Sequence, residues 1–168
     1  MSLQEKPDES QHVLNLLSPH SGSDAGDPTW GFMPRLRRLT QMYTAAWVTY
    51  VSADVTSTQF GMLSALDTLP GQDQKTLAQN LSMDKSSTAD VVNRLSRRGH
   101  IRALRDPDDS RRKILLLTPD GKASLEELRP LVHGLRSRVF AEFGEAERTE
   151  FLDGMSRLIH RLEGMTEQ

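Results

Sequence analysis

The groups in this chain able to do chemistry are five histidines, a few acidic pairs and one concentrated run of basic residues. His12, His20, His100, His133 and His160 are scattered, and neither metal-ligand spacing nor an HExxH pattern occurs. Asp108-Asp109 and Glu126-Glu127 are adjacent in sequence. Neighbours on a helix point about 100° apart, so Glu126-Glu127 is a poor acid/base couple. No P-loop, GxGxxG or GxSxG is present. The absence of cysteine excludes disulfides, thiolate metal sites and a thiol nucleophile. Neither catalysis nor a cofactor is expected.

The basic residues are more informative. Net charge is −2, which alone argues against a polyanion partner. From Lys75 to Thr118, however, ten Lys/Arg stand against five Asp/Glu, a balance of +5, while the remainder holds eleven against eighteen, a balance of −7. A basic middle between acidic ends suits a module that faces nucleic acid. The same face could also meet an acidic protein partner.

Those residues need elements to position them. The stretch DQKTLAQNLSMDKSSTADVVNRLSRRG predicts a short helix with Leu77, Ala78 and Leu81 inward, a break at Ser82-Met83, and a second helix capped by Asp84 and stopped at Gly99. The second helix turns Thr88, Val91, Val92 and Leu95 inward. Its outer face is Lys85, Ser86, Ser87, Asp90, Asn93, Arg94 and Arg97, short polar and basic groups of the kind that meet a DNA groove. HIRALR and RKILLLT read as two short strands around the tip DPDDSRR, with Asp106-Pro107 opening a type I turn. A helix-turn-helix followed directly by a hairpin is a winged helix. Its wing can place Arg111 or Arg112 in a minor groove, with Asp109 paired to Arg111 to hold it extended.

The flanks are helical. Residues 29–51 form a helix with Pro34 near its start and an apolar row through Leu36, Leu39, Met42/Tyr43, Ala46/Trp47 and Tyr50. Residues 55–66 form the entry helix, opened by Thr56 or Ser57 and closed by Pro70-Gly71. Beyond Thr118, a long helix kinked at Pro130 carries Leu125 through Phe143, and a last helix after Gly144 aligns Phe151, Met155, Leu158 and Leu162. Residues 1–27 read as a mobile arm in which HVLNLL can form a turn or two of helix. No run of eighteen apolar residues and no leader pattern is seen, so a cytoplasmic protein without a membrane partner is expected.

From Val55 to Gly121 the sequence resembles the multiple antibiotic resistance regulator (MarR) family. VTSTQFGML, TLAQNLSMDKSSTADVVNRLSRRGHI and DPDDSRR…LLLTPDG carry the likeness, in particular Gln59, the Leu95…Gly99-His100-Ile101 exit, Asp109-x-Arg111 and Leu117-Thr118-x-x-Gly121. The resemblance implies a mainly α fold with a small β-hairpin wing, and a dimer whose N- and C-terminal helices interlock. It divides the chain into an arm (1–27), a dimerisation helix (28–54), a winged helix-turn-helix (55–118) and C-terminal dimerisation helices (119–168). It implies a transcription regulator, a repressor of a pseudo-palindromic double-stranded operator that a small aromatic or phenolic effector releases. Carried over, Lys85, Ser86, Ser87, Asp90 and Arg94 fall at major-groove positions, Thr76 where a phosphate is held, and Asp109, Arg111 and Arg112 on the wing. An effector cleft would draw on Trp30, Arg37 and Tyr43. Asp90, an acid facing DNA, departs from what such a surface ordinarily offers.

Overall fold

The computed structural model describes residues 29–107, 109 and 111–166. The expected arm with its HVLNLL segment lies outside them, as does Asp108 at the wing tip. Among the described residues, six helices and one antiparallel hairpin make a mainly helical fold.

Helix α1 spans Phe32–Tyr50. Only Trp47 on it is buried by this chain, and the reason is local. Its indole Nε1 donates to the Val55 carbonyl at 2.7 Å and its ring lies 5.7 Å from that of Phe60. Trp47 therefore pins the end of α1 to α2 (Ser57–Thr68). Thr56 and Gln59 close a reciprocal capping box at the start of α2, each side chain accepting from the other's amide, which is the physical role of Gln59.

Helices α3 (Gln74–Asn80) and α4 (Lys85–Arg97) are capped by Asp73 and Asp84. Between them Ser82 takes a left-handed φ of 49°, the conformation that reverses the chain in so short a space. Thr88, Val92 and Leu95 are buried and Val91 is half-buried, as the periodicity predicts. Gly99, at φ 74°, ends α4 and feeds β1 (Ile101–Arg105).

Strand β1 pairs with β2 (Lys113–Leu117) in a register running from Ile101↔Leu117 to Arg105↔Lys113. The loop before α3 adds a third edge. The Leu115 amide donates to the Gln72 carbonyl at 2.8 Å, and Asp73 bridges Ile114. The wing is thus tied to the helix-turn-helix, not merely appended to it.

Thr118 caps α5 (Pro119–Val139), with Pro119 at its first position. One helix runs through Pro130 but stops at Val139, so Phe143, expected on it, lies beyond its end. Phe143 instead packs with Phe140 and Phe151 at the elbow leading into α6 (Glu145–Thr166). The core gathers Met62, Leu63 and Leu66 of α2 with Leu77, Leu95, Ile101 and Leu115, and closes with Leu125 and Leu128 from the first half of α5. Helix α6 contributes nothing to it.

Candidate nucleic-acid interface

Asp84 sets the start of the exposed face of α4. Its carboxylate accepts from the Ser87 amide at 2.8 Å and from the Ser87 hydroxyl at 2.6 Å. These two bonds hold its pKa below the ordinary carboxylate range, the hydroxyl bond contributing most. Lys85, Ser86, Ser87, Asp90, Asn93, Arg94 and Arg97 are all exposed, so the face read from the sequence stands open to solvent. Arg98, next along, is spent differently: it donates to the Asp54 carbonyl and fastens α4 to the turn before α2.

Thr76 stands half-buried in the first turn of α3. Asp73 accepts from its amide at 2.7 Å, and this bond, the Thr76 hydroxyl and Arg112 together bring the Asp73 pKa down from 3.8 to about 2. The Thr76 amide is thus already taken by a carboxylate. Beside it, Lys75 of α3, Lys85 of α4 and Lys113 of β2 line one groove of about 880 Å³, which Glu163 of α6 also lines. Three elements, two of them consecutive helices and the third a wing strand, thus each contribute a lysine to the lining of one groove. Only the lysine at 85 was singled out beforehand, because the convergence depends on wing docking.

The two wing arginines part company. The guanidinium of Arg112 bonds Asp73 at 2.7 Å and reaches Asp106 at 3.4 Å, so it is a strut at the base of the wing and not a free finger. Arg111 is exposed and enters no ion pair among the described residues. Asp109 was expected to pair with the Arg111 side chain. Its carboxylate instead accepts from the Arg111 backbone amide at 2.9 Å. The acid shapes the turn that presents Arg111 and does not grip its guanidinium. The turn type expected at Asp106-Pro107 involves residues outside the described set.

The junction behind the wing explains another glycine. A Cβ on Gly121 would stand 1.9 Å from the His100 carbonyl oxygen, so the first turn of α5 passes against the β1 entry with no room for a side chain. Thr118 donates to the Gly99 carbonyl while accepting from the Gly121 amide, closing the same corner.

The three expected effector residues are not assembled by this chain alone. Trp30 lies exposed in the turn before α1, and Arg37 is exposed on the helix. Tyr43 sits six positions on from Arg37, about 120° away around the axis, with its ring 6.5 Å from that of Trp47.

A capped helix-turn-helix, a docked two-stranded wing and long flanking helices define a winged-helix regulator. Residues 55–113 match the model of the MarR family. The regulator PcaV of Streptomyces coelicolor, solved in complex with its natural ligand, is 33% identical, with a TM-score of 0.75 over 84% of this chain and 98% of that one. The BpsR structure of Bordetella bronchiseptica, which concerns regulation of DNA binding by 6-hydroxynicotinic acid, is 26% identical, with a TM-score of 0.67 over 76% and 97%. The transcriptional regulator HosA of Escherichia coli O111:H- is 26% identical over 75% of this chain and 93% of its own. The chain belongs to the MarR family and is a transcriptional regulator, not an enzyme.

Proposed function

We propose that the protein is a cytoplasmic homodimer that represses transcription by binding a pseudo-palindromic double-stranded operator and lets go when a small aromatic acid binds. The observation that carries the DNA-binding part is the exposed polar and basic face of α4, next to a groove that Lys75, Lys85 and Lys113 help to line. Phosphate contacts of this kind fix register, while Ser86, Ser87, Asp90 and Arg94 on α4 meet base edges. Arg111 enters the adjacent minor groove, held by the turn that Asp109 organises.

Dimerisation follows from what the chain leaves uncovered. Phe32, Leu36, Leu39 and Met42 on α1, and Leu152, Leu158, Ile159 and Leu162 on α6, are exposed large apolar residues. Two such stripes on helices of 19 and 22 residues exceed what a monomer ordinarily shows to water. A second copy covers them, so that 28–54 and 119–168 serve dimerisation and 55–118 serves DNA. Both α4 helices then meet successive major grooves when they lie about 34 Å apart.

The effector reading draws on the ligand-bound PcaV structure and on BpsR, whose DNA binding is regulated by 6-hydroxynicotinic acid, a hydroxylated aromatic acid. Trp30, Arg37 and Tyr43 supply aromatic surface and a cation for a carboxylate once the partner's helices complete the cleft.

The test is fluorescence anisotropy against the protein's own upstream DNA and a scrambled duplex at two salt concentrations, with 6-hydroxynicotinic acid added as a probe. Preference for the upstream duplex, weakened by salt, is the expected result. Salt-dependent binding with no preference among duplexes would favour an acidic protein as the partner of the basic face.

A further inference from the structure

The outward face of α4 has an acid at its centre. At about 100° per residue, the buried Thr88, Val92 and Leu95 define an inward direction, and Asp90 lies within about 15° of its opposite. Ser86, Asn93 and Arg97 share that outward strip, with Ser87 and Arg94 on its flank. Asp90 is exposed and enters no ion pair among the described residues, although Arg94 stands one turn away. No cation among the described residues pairs with it.

A second group at the same end of the helix has the same polarity. The Ser87 hydroxyl proton is committed to Asp84, which leaves the hydroxyl oxygen to accept. On this face Lys85, Arg94 and Arg97 only donate and Ser86 and Asn93 can do either, so Asp90 is its one side chain that by its own chemistry can only accept. The first turns of a recognition helix are the part that approaches base edges.

Base edges differ in this respect. In the major groove, cytosine N4 and adenine N6 are donors, whereas guanine O6 and N7 and thymine O4 only accept. An ionised carboxylate can only accept. Set against guanine, thymine or a phosphate, Asp90 would lose its water and gain a repulsive neighbour. Resting on the DNA-binding reading above, we infer that Asp90 is a specificity-determining residue that demands an exocyclic amino group, from cytosine or adenine, at one position of each operator half-site.

The experiment is selection of duplexes from a randomised library by the full-length protein, followed by anisotropy titration of single-base changes in the selected half-site. At one position, replacing cytosine or adenine by guanine or thymine should weaken wild-type binding about ten- to hundredfold. Pyrimidin-2-one in place of cytosine, or purine in place of adenine, deletes the amino group and identifies its source by reproducing the loss. Asp90→Ala should bind all four bases alike at that position and keep its discrimination elsewhere. Asp90→Asn, which can accept and donate, should move the preference to adenine. Because Asp90 is exposed, an unchanged melting curve is expected for both variants. An Asp90→Ala protein that keeps every base preference and binds all duplexes more tightly would overturn the inference, leaving the carboxylate as a charge brake. A library from which the wild type retains no duplex would overturn the DNA-binding reading and this inference with it.

Discussion

Arg112 at the base of the wing and Asp73 at the start of α3 lie 39 positions apart in sequence and meet at 2.7 Å. Asp106 receives the same guanidinium at 3.4 Å, and its amide donates to the Arg112 carbonyl at 2.9 Å. One arginine thus spans two carboxylates, a geometry that a planar fork provides and a single ammonium does not. The pair is partly exposed, so its worth lies in direction more than in stability.

The neighbouring arginines should therefore separate in experiment. Arg111→Ala is expected to weaken binding to all duplexes and to make the log–log salt slope shallower by up to about one unit. Arg112→Ala should leave the slope near the wild-type value while hydrogen exchange quickens at the Lys113–Leu117 amides, and Arg112→Lys should not repair this. A slope change for Arg112→Ala with wing amides undisturbed would mean that Arg112 touches phosphate after all.

Asp73, through its bonds to Thr76 first and to Arg112 second, makes the start of α3 acid-sensitive in a definite window. Its folded pKa, about 2, lies below the ordinary 3.8, so the folded state favours the charged form. The resulting stability is present above the unfolded pKa and is lost as pH falls from about 4 towards about 2. Asparagine still caps a helix, so Asp73→Asn removes the charge and keeps the cap. Urea titrations should show the wild type more stable than Asp73→Asn by a constant margin above about pH 5, with the margin closing below pH 4. A margin that persists at pH 2 would show that the stability does not come from the ionised carboxylate.

Local signals in the sequence located the elements well because each boundary has a local cause. Asp84 and Thr118 are caps readable from four or five residues, the choice between Thr56 and Ser57 falls to Thr56 through its box with Gln59, and the inward set of α4 follows from its periodicity. What escaped depends on contacts between segments far apart. Arg111 and Arg112 are adjacent, alike in type and both exposed, and only the approach of α3 gives one an ion pair and leaves the other without one among the described residues. The bond from the Thr76 amide to Asp73 is a matter of geometry at the start of α3. The same holds for Phe143: the apolar row continues past Val139, but the aromatic contacts with Phe140 and Phe151 place it in the elbow.

Gly121→Ala tests the corner behind the wing. The added methyl carbon would meet the His100 backbone carbonyl at 1.9 Å, and a backbone atom cannot swing aside as a side-chain tip can. Either α5 shifts or β1 is pushed out of register. Overpacking of this kind costs about 1–3 kcal/mol, occasionally more, and the upper end is expected here because Leu125 and Leu128 on the same helix close the core. Thermal unfolding should show a clear fall in Tm, whereas Gly154→Ala, whose Cβ would meet nothing nearer than an arginine tip at 3.9 Å, should not. Equal behaviour of the two variants would contradict the close packing of α5 against β1.

Helix α6 offers the cleanest separation of assembly from folding. Leu158 and Ile159 are each 50% exposed, and the winged core is complete without α6. A charge introduced at Leu158 therefore leaves the fold of residues 55–128 in place and strikes only whatever covers the stripe. Leu158→Arg is expected to sediment as a monomer where the wild type sediments as a dimer, with the far-UV dichroism of a helical protein retained. A monomer has one recognition helix for two half-sites and loses the second binding event, which tethering otherwise makes intramolecular; avidity of that kind is worth about 10²–10⁴ in affinity. Operator binding should fall by about that factor, while a duplex carrying a single half-site should bind both proteins alike. A dimeric Leu158→Arg with full operator affinity would place the subunit interface on another surface.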